Sequence, residues 1–188
     1  MSGDVADWAL VRRQWQKTCR IVLESSFAEL ALRHLRRRLD HWQIQVLPGH
    51  RVQRAIRCLK NVVTVCPPRV CAALLRAWCN GWVTARRMQG VGSCILGCGG
   101  LDSIEHYATC QVYRTFCVCR LHLIPMNDLL GSFLCLCEES AANKQKRALC
   151  LYALYALHGR TRHAGVGPAN PHDALLQIVK DTAGHLIR

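Results

Sequence analysis

Apolar residues recur along this chain at three- and four-residue intervals, and no stretch of convincing length alternates strand-fashion, so the pattern predicts an all-α protein. A first helix is expected over residues 7–23, with Trp8, Val11, Trp15, Cys19 and Val22 on one face. A second begins at Ser26, which with Glu29 forms a capping box, and runs until Pro48 and Gly49 stop it. Phe27, Leu30, Leu32, Leu35, Leu39 and Trp42 make its apolar side, and Arg33, Arg36, Arg37 and Arg38 the other. A third, over 50–65, points Val52, Ile56, Leu59 and Val63 inward.

Pro67 and Pro68 suit the first turn of a fourth helix, because proline lacks only a donor that is orphaned there anyway. This helix is expected to continue to Gly90 and Gly92. It would place Trp78 and Trp82 four apart on one face with Val70, Leu74 and Leu75, a pattern that favours core packing over base stacking. Further helices are expected over 103–122, from Asn127 to about 137, over 141–157, and over 173–187. The last has Asn170 as cap and Pro171 at its first position, and residues 159–171 read as a glycine- and proline-rich loop. The domain organisation expected is a basic helical region over 1–90, a metal-binding segment over 91–122, and C-terminal helices over 123–188.

Charge changes the picture most. The 188 residues carry a formal net charge of +13, and no acidic residue lies between Asp40 and Asp102. Arg51, Arg54, Arg57, Lys60, Arg76, Arg86 and Arg87 fall inside that acid-free segment and are the candidate nucleic-acid contacts. A solvated helix surface is the bland alternative for such a run. The longest apolar stretches are about half of what crosses a bilayer, and no secretory leader is recognisable. The expected setting is therefore intracellular, the nucleus ahead of the cytoplasm, with RNA or DNA as partner and neither a membrane nor a small-molecule substrate. The odd count of 13 cysteines fits buried thiols plus a metal site better than a disulfide framework.

The chemistry concentrates in "CILGCGGLDSIEHYATC", where Cys94, Cys98, His106 and Cys110 form a CxxxC pair and an HxxxC pair. Thiolates and imidazole in two short pairs are how a small loop surrounds a tetrahedral zinc ion. Gly97, Gly99 and Gly100 flank Cys98 in a tight turn, and Asp102, reinforced by Glu105, is expected to cap a helix carrying His106 and Cys110 on one side. A full set of four ligands leaves no open position, so the zinc is expected to be structural, its excess negative charge offset by Arg86 and Arg87. Packed free thiols are the alternative, as is Cys117 or Cys119 replacing one ligand. A thiol enzyme would need a nucleophile signature that no single cysteine here carries.

"LLRAWCNGWVTARRMQ" followed by "CILGCGGLDSIEHYATC" resembles the region behind the polymerase core in reverse transcriptases of non-LTR retrotransposons, where a helical thumb-like stretch leads into a Cys-Cys-His-Cys zinc-binding segment. The likeness covers about residues 69–116. It implies Cys94, Cys98, His106 and Cys110 as ligands and a role in holding template RNA or target DNA. The first pair has three intervening residues where the family usually has two, and the chain contains no DD pair. The expectation is thus a detached accessory piece of an RNA-directed DNA polymerase, not an enzyme on its own. A helical protein-interaction scaffold with a structural zinc is the competing function.

Overall fold

The computed structural model describes residues 26–44 and 50–184. The helix expected over 7–23 lies outside the described residues, as does the Ser26 side chain with its capping box. Among the described residues there are eight helices and no sheet, as the periodicity predicts. Their order is α1 (Ser26–His41), α2 (Arg51–Val65), α3 (Pro68–Trp78), α4 (Ile104–Thr109), α5 (Gln111–Leu121), α6 (Leu129–Phe133), α7 (Ala141–Ala164) and α8 (Pro171–Ala183).

The 24 residues of α7 make a rod about 36 Å long that packs against α2, α3, α5, α6 and α8. Being covered on several sides, it carries only apolar, aromatic and small residues over its middle turns, 148–157. Ala148, Cys150, Leu151, Ala153 and Leu154 are buried completely. Ser140 caps its start by accepting the Asn143 amide at 3.2 Å. It runs seven residues beyond the expected end at Leu157 and stops at Gly165, which supplies the left-handed turn at φ 70°. The loop expected over 159–171 is accordingly shorter. Asn170 caps α8 as expected, its Oδ1 accepting the His172 and Asp173 amides.

Two boundaries and one buried face differ here for local reasons. α1 ends at His41, because Gln43 turns left-handed at φ 49° and swings Trp42 inward, where its Nε1 donates to Glu105 Oε1 at 3.0 Å. α2 buries Val52, Ala55, Cys58 and Val62; of the expected inward set Val52 is buried, Ile56 and Leu59 pack half-buried against the core, and only Val63, 56% exposed, faces out. Small residues at 55 and 58 let neighbouring helices approach closely, and that rotates the buried stripe. α3 stops at Trp78, twelve residues short of Gly90. Asn80 takes φ 55°, its amide returns to Ala77 O, and the Gly81 amide returns to Arg76 O at 2.6 Å. These are the paired bonds of a Schellman ending, and Asn80-Gly81 was its signal.

Trp78 and Trp82 therefore do not share a helix, yet both are core residues. Trp78 Nε1 donates to Leu134 O at 3.0 Å. Trp82, beyond the helix end, stacks on Tyr107 at 5.6 Å and on Phe133 at 6.3 Å, with Tyr155 and His158 edge-on. Residues 82–103 hold only turns and one antiparallel bridge between Ser93 and Leu101. No helix among the described residues is long and apolar enough to cross a membrane.

Candidate metal centre

Cys94 and Cys98 come from the turn after the bridge residue Ser93, His106 from the first turn of α4, and Cys110 from the junction of α4 and α5. Their ligand atoms all lie within 4.8 Å of one another. The Cys94 and Cys110 sulfurs are 3.9 Å apart, those of Cys110 and Cys98 3.6 Å, and the Cys98 sulfur is 3.1 Å from His106 Nε2. A tetrahedral ion with metal–sulfur bonds of about 2.3 Å needs sulfur–sulfur edges of about 3.8 Å. The donor set thus fits a metal ion in both chemistry and size.

The local backbone explains the convergence. Gly97 and Gly99 take φ 76° and 79°, a left-handed pair that folds the chain tightly around Cys98. The Cys94 amide closes the loop on Gly100 O at 2.7 Å. Gly100 has a separate role: a β-carbon there would lie 2.0 Å from His106 Cε1, so the ring occupies the space that only glycine leaves. The helix expected over 103–122 is broken at Cys110, whose ψ of 118° leaves the helical region. The break lets α5 change direction and frees Cys110 to join Cys94, both buried.

The cap of α4 is Ser103, whose Oγ accepts the His106 amide at 3.0 Å, and not Asp102. Asp102 is buried one residue earlier and does something else. Its carboxylate accepts the Tyr107 hydroxyl at 2.7 Å, the Ala85 amide at 2.7 Å and His158 Nε2 at 3.0 Å. One carboxylate thereby joins the turn after Trp82, the metal loop and α7. Sequence reading missed this network because its members lie up to 56 residues from Asp102. Glu105 acts similarly at the surface, taking Trp42 Nε1 from beyond α1 and Arg86 at 3.3 Å.

Electrostatics follow from these contacts. Hydrogen bonding with Cys94 pulls the Cys110 thiol down to about 5, and the same bond, with burial, pushes the Cys94 thiol up. Burial would raise the Asp102 carboxyl, but hydrogen bonds from His158, Tyr107 and Ala85 outweigh it and leave it below the usual carboxylate range.

Neither proposed substitute ligand reaches the centre. Cys117 is buried beside Tyr113 and Cys150, and Cys119 is exposed on α5. Neither belongs to the metal-ligating group among the described residues. Cys58, Cys66, Cys71, Cys135 and Cys150 are buried packing residues.

The candidate nucleic-acid residues divide into two groups. Arg51 pairs with Asp40 at 2.9 Å, Arg54 with Glu138, and Arg86 with Glu105, while Arg76 donates to the Tyr155 hydroxyl. Arg57, Lys60 and Arg87 are exposed without a side-chain partner among the described residues. Arg57 and Lys60 share a solvent face of α2 with Gln53, Asn61 and Thr64. The acids that neutralise part of the set, Glu105 and Glu138, come from outside the acid-free segment, and the fold brings them in.

No protein-family model, curated protein or solved structure matches this chain.

Proposed function

We propose that Cys94, Cys98, His106 and Cys110 hold a structural zinc, and that the helical module around it binds nucleic acid through phosphate contacts. The observation that carries the first half is the convergence of three thiols and one imidazole within 4.8 Å, with sulfur edges near the tetrahedral value. Zinc suits this soft, fully occupied set, which leaves no position for a substrate. The second half rests on the +13 charge and on Arg57, Lys60 and Arg87 standing free at the surface. The likeness of "CILGCGGLDSIEHYATC" to the Cys-Cys-His-Cys segment of non-LTR reverse transcriptases supports the same pairing of zinc with RNA or DNA, and it rests on those residues alone.

Zinc binding is tested by metal content of the purified protein by mass spectrometry, wild type against Cys94→Ser/Cys110→Ser. About one zinc per chain is expected, lost in the variant. A metal-free wild type that keeps its helical signal and melting temperature would sink this half. Nucleic-acid binding is tested by anisotropy titration at several salt concentrations. Each neutralised phosphate steepens the plot of log affinity against log salt by about 0.9, so Arg57→Ala/Lys60→Ala should flatten it by about two units. Weak binding with a flat salt response would remove the proposal. It would favour the second reading, a protein-interaction scaffold, which the internal pairing of Arg51, Arg54 and Arg86 with carboxylates also favours.

A further inference from the structure

Half of the large exposed apolar side chains fall in one part of the chain. Of the eight large exposed hydrophobic residues among those described, Val83, Met88, Val91 and Leu101 lie in the lobe that carries the metal loop, and Val91 is fully exposed. Backbone hydrogen bonds hold this lobe together. The Arg86 amide donates to Asp102 O at 3.2 Å, the Asp102 amide to Gly92 O at 2.9 Å, and Ser93 bridges Leu101. The turn over 84–92 is therefore folded back on residues 100–102.

Cations outnumber acids at the rim. Arg86 and Arg87 rise from the turn, and Arg162 of α7 donates to Val83 O beside them. No carboxylate occurs from 83 to 101. The two that follow are spoken for: Asp102 is buried in its network, and Glu105 holds Trp42 and Arg86.

Cations alone would suit the phosphates of a duplex, but a duplex offers apolar side chains only thymine methyls or a base step that must first be unstacked. A single strand offers the same phosphates and also unstacked base faces, which are apolar and flat. We propose that this lobe is a binding surface for single-stranded nucleic acid. Bases would lie against Val83, Met88, Val91 and Leu101, and phosphates against Arg87 and Arg162. The proposal rests on the nucleic-acid reading above and narrows it to a second surface, distinct from the Arg57 and Lys60 face of α2.

The test compares the full chain, metal-loaded, with its Met88→Gln/Val91→Thr variant. Both changes are near-isosteric and leave every charge in place. Both sites are exposed, so metal content and melting temperature should match the wild type. Anisotropy is read with a labelled oligouridine of about 12 nucleotides and with a duplex of equal length. The variant should lose roughly five- to tenfold in single-strand affinity, with duplex affinity and both salt slopes unchanged. Equal affinity of variant and wild type for the single strand would overturn the proposal, as would equal losses on both forms. Self-association of the wild type that the variant abolishes would also overturn it, assigning the lobe to a second copy. A wild type that binds duplex steeply with salt but shows no patch effect leaves the broader function standing. One that binds neither form removes both.

Discussion

Gly100 is the residue on which the metal centre can be tested most sharply. A β-carbon at this position would sit 2.0 Å from His106 Cε1, 2.5 Å from Nδ1 and 2.6 Å from Nε2, against ordinary contact from 3.4 Å. In Gly100→Ala the ring must therefore retreat by about 1.4 Å, whereas metal–ligand distances tolerate about 0.2 Å. The ring cannot do both, so the variant keeps three thiolates and loses the imidazole. His106 is only half-buried and can swing towards solvent. The metal-free protein should thus change in stability by less than about 1 kcal/mol. Affinity should fall by at least about tenfold, since even disturbing the groups behind a ligand costs that much. Cobalt(II) is the probe: its visible absorption reports donor set and geometry, and competition with a chelator gives affinity. His106→Ala should fall equally, and adding Gly100→Ala to it should cost nothing further, because both act through one ring. A Gly100→Ala protein with the wild-type cobalt spectrum and affinity within about twofold would refute the placement of His106 as a ligand.

Asp102→Ala would strand the Tyr107 hydroxyl, the Ala85 amide and His158 in the interior, and about 3 kcal/mol or more should be lost in urea unfolding. A loss under about 1 kcal/mol would show that the network does not hold the metal lobe to α7. Because the folded carboxyl sits below its ordinary value, its contribution is complete above about pH 4 and disappears as pH falls through the lower folded value. The stability gap between wild type and Asp102→Ala should accordingly close on acidification below pH 4, which unfolding curves measured across that range will show. Cys119→Ser, at an exposed site outside the centre, should keep full metal content by mass spectrometry, while Cys98→Ser should not. Trp82→Ala removes the ring that stacks on Tyr107 and Phe133 and should cost about 3–5 kcal/mol, read by thermal unfolding.

Much of the molecule is written in local pattern. Helical periodicity alone determines the all-α class. Proline and asparagine place the starts of α3 and α8 because their signals act within one turn. The convergence of Cys94, Cys98, His106 and Cys110 is legible for the same reason: a soft donor set at short spacing leaves few other arrangements. Where signals competed, proximity in sequence misled. Asn80-Gly81 ended a helix that the apolar period alone carried to Gly90, since a Schellman turn satisfies the last carbonyls whatever follows. Ser103 and Asp102 could both cap α4, and local chemistry does not separate them. The choice is made by His158, 56 residues away, whose ring claims the carboxylate and leaves the cap to the hydroxyl. The same holds for charge. The sequence shows which cations exist, but only the folded chain brings Asp40, Glu105 and Glu138 to three of them and leaves Arg57, Lys60 and Arg87 facing water. Pairing between distant side chains depends on distances that chain order does not encode, so the tertiary structure alone decided which polar groups build the fold and which stay exposed to water.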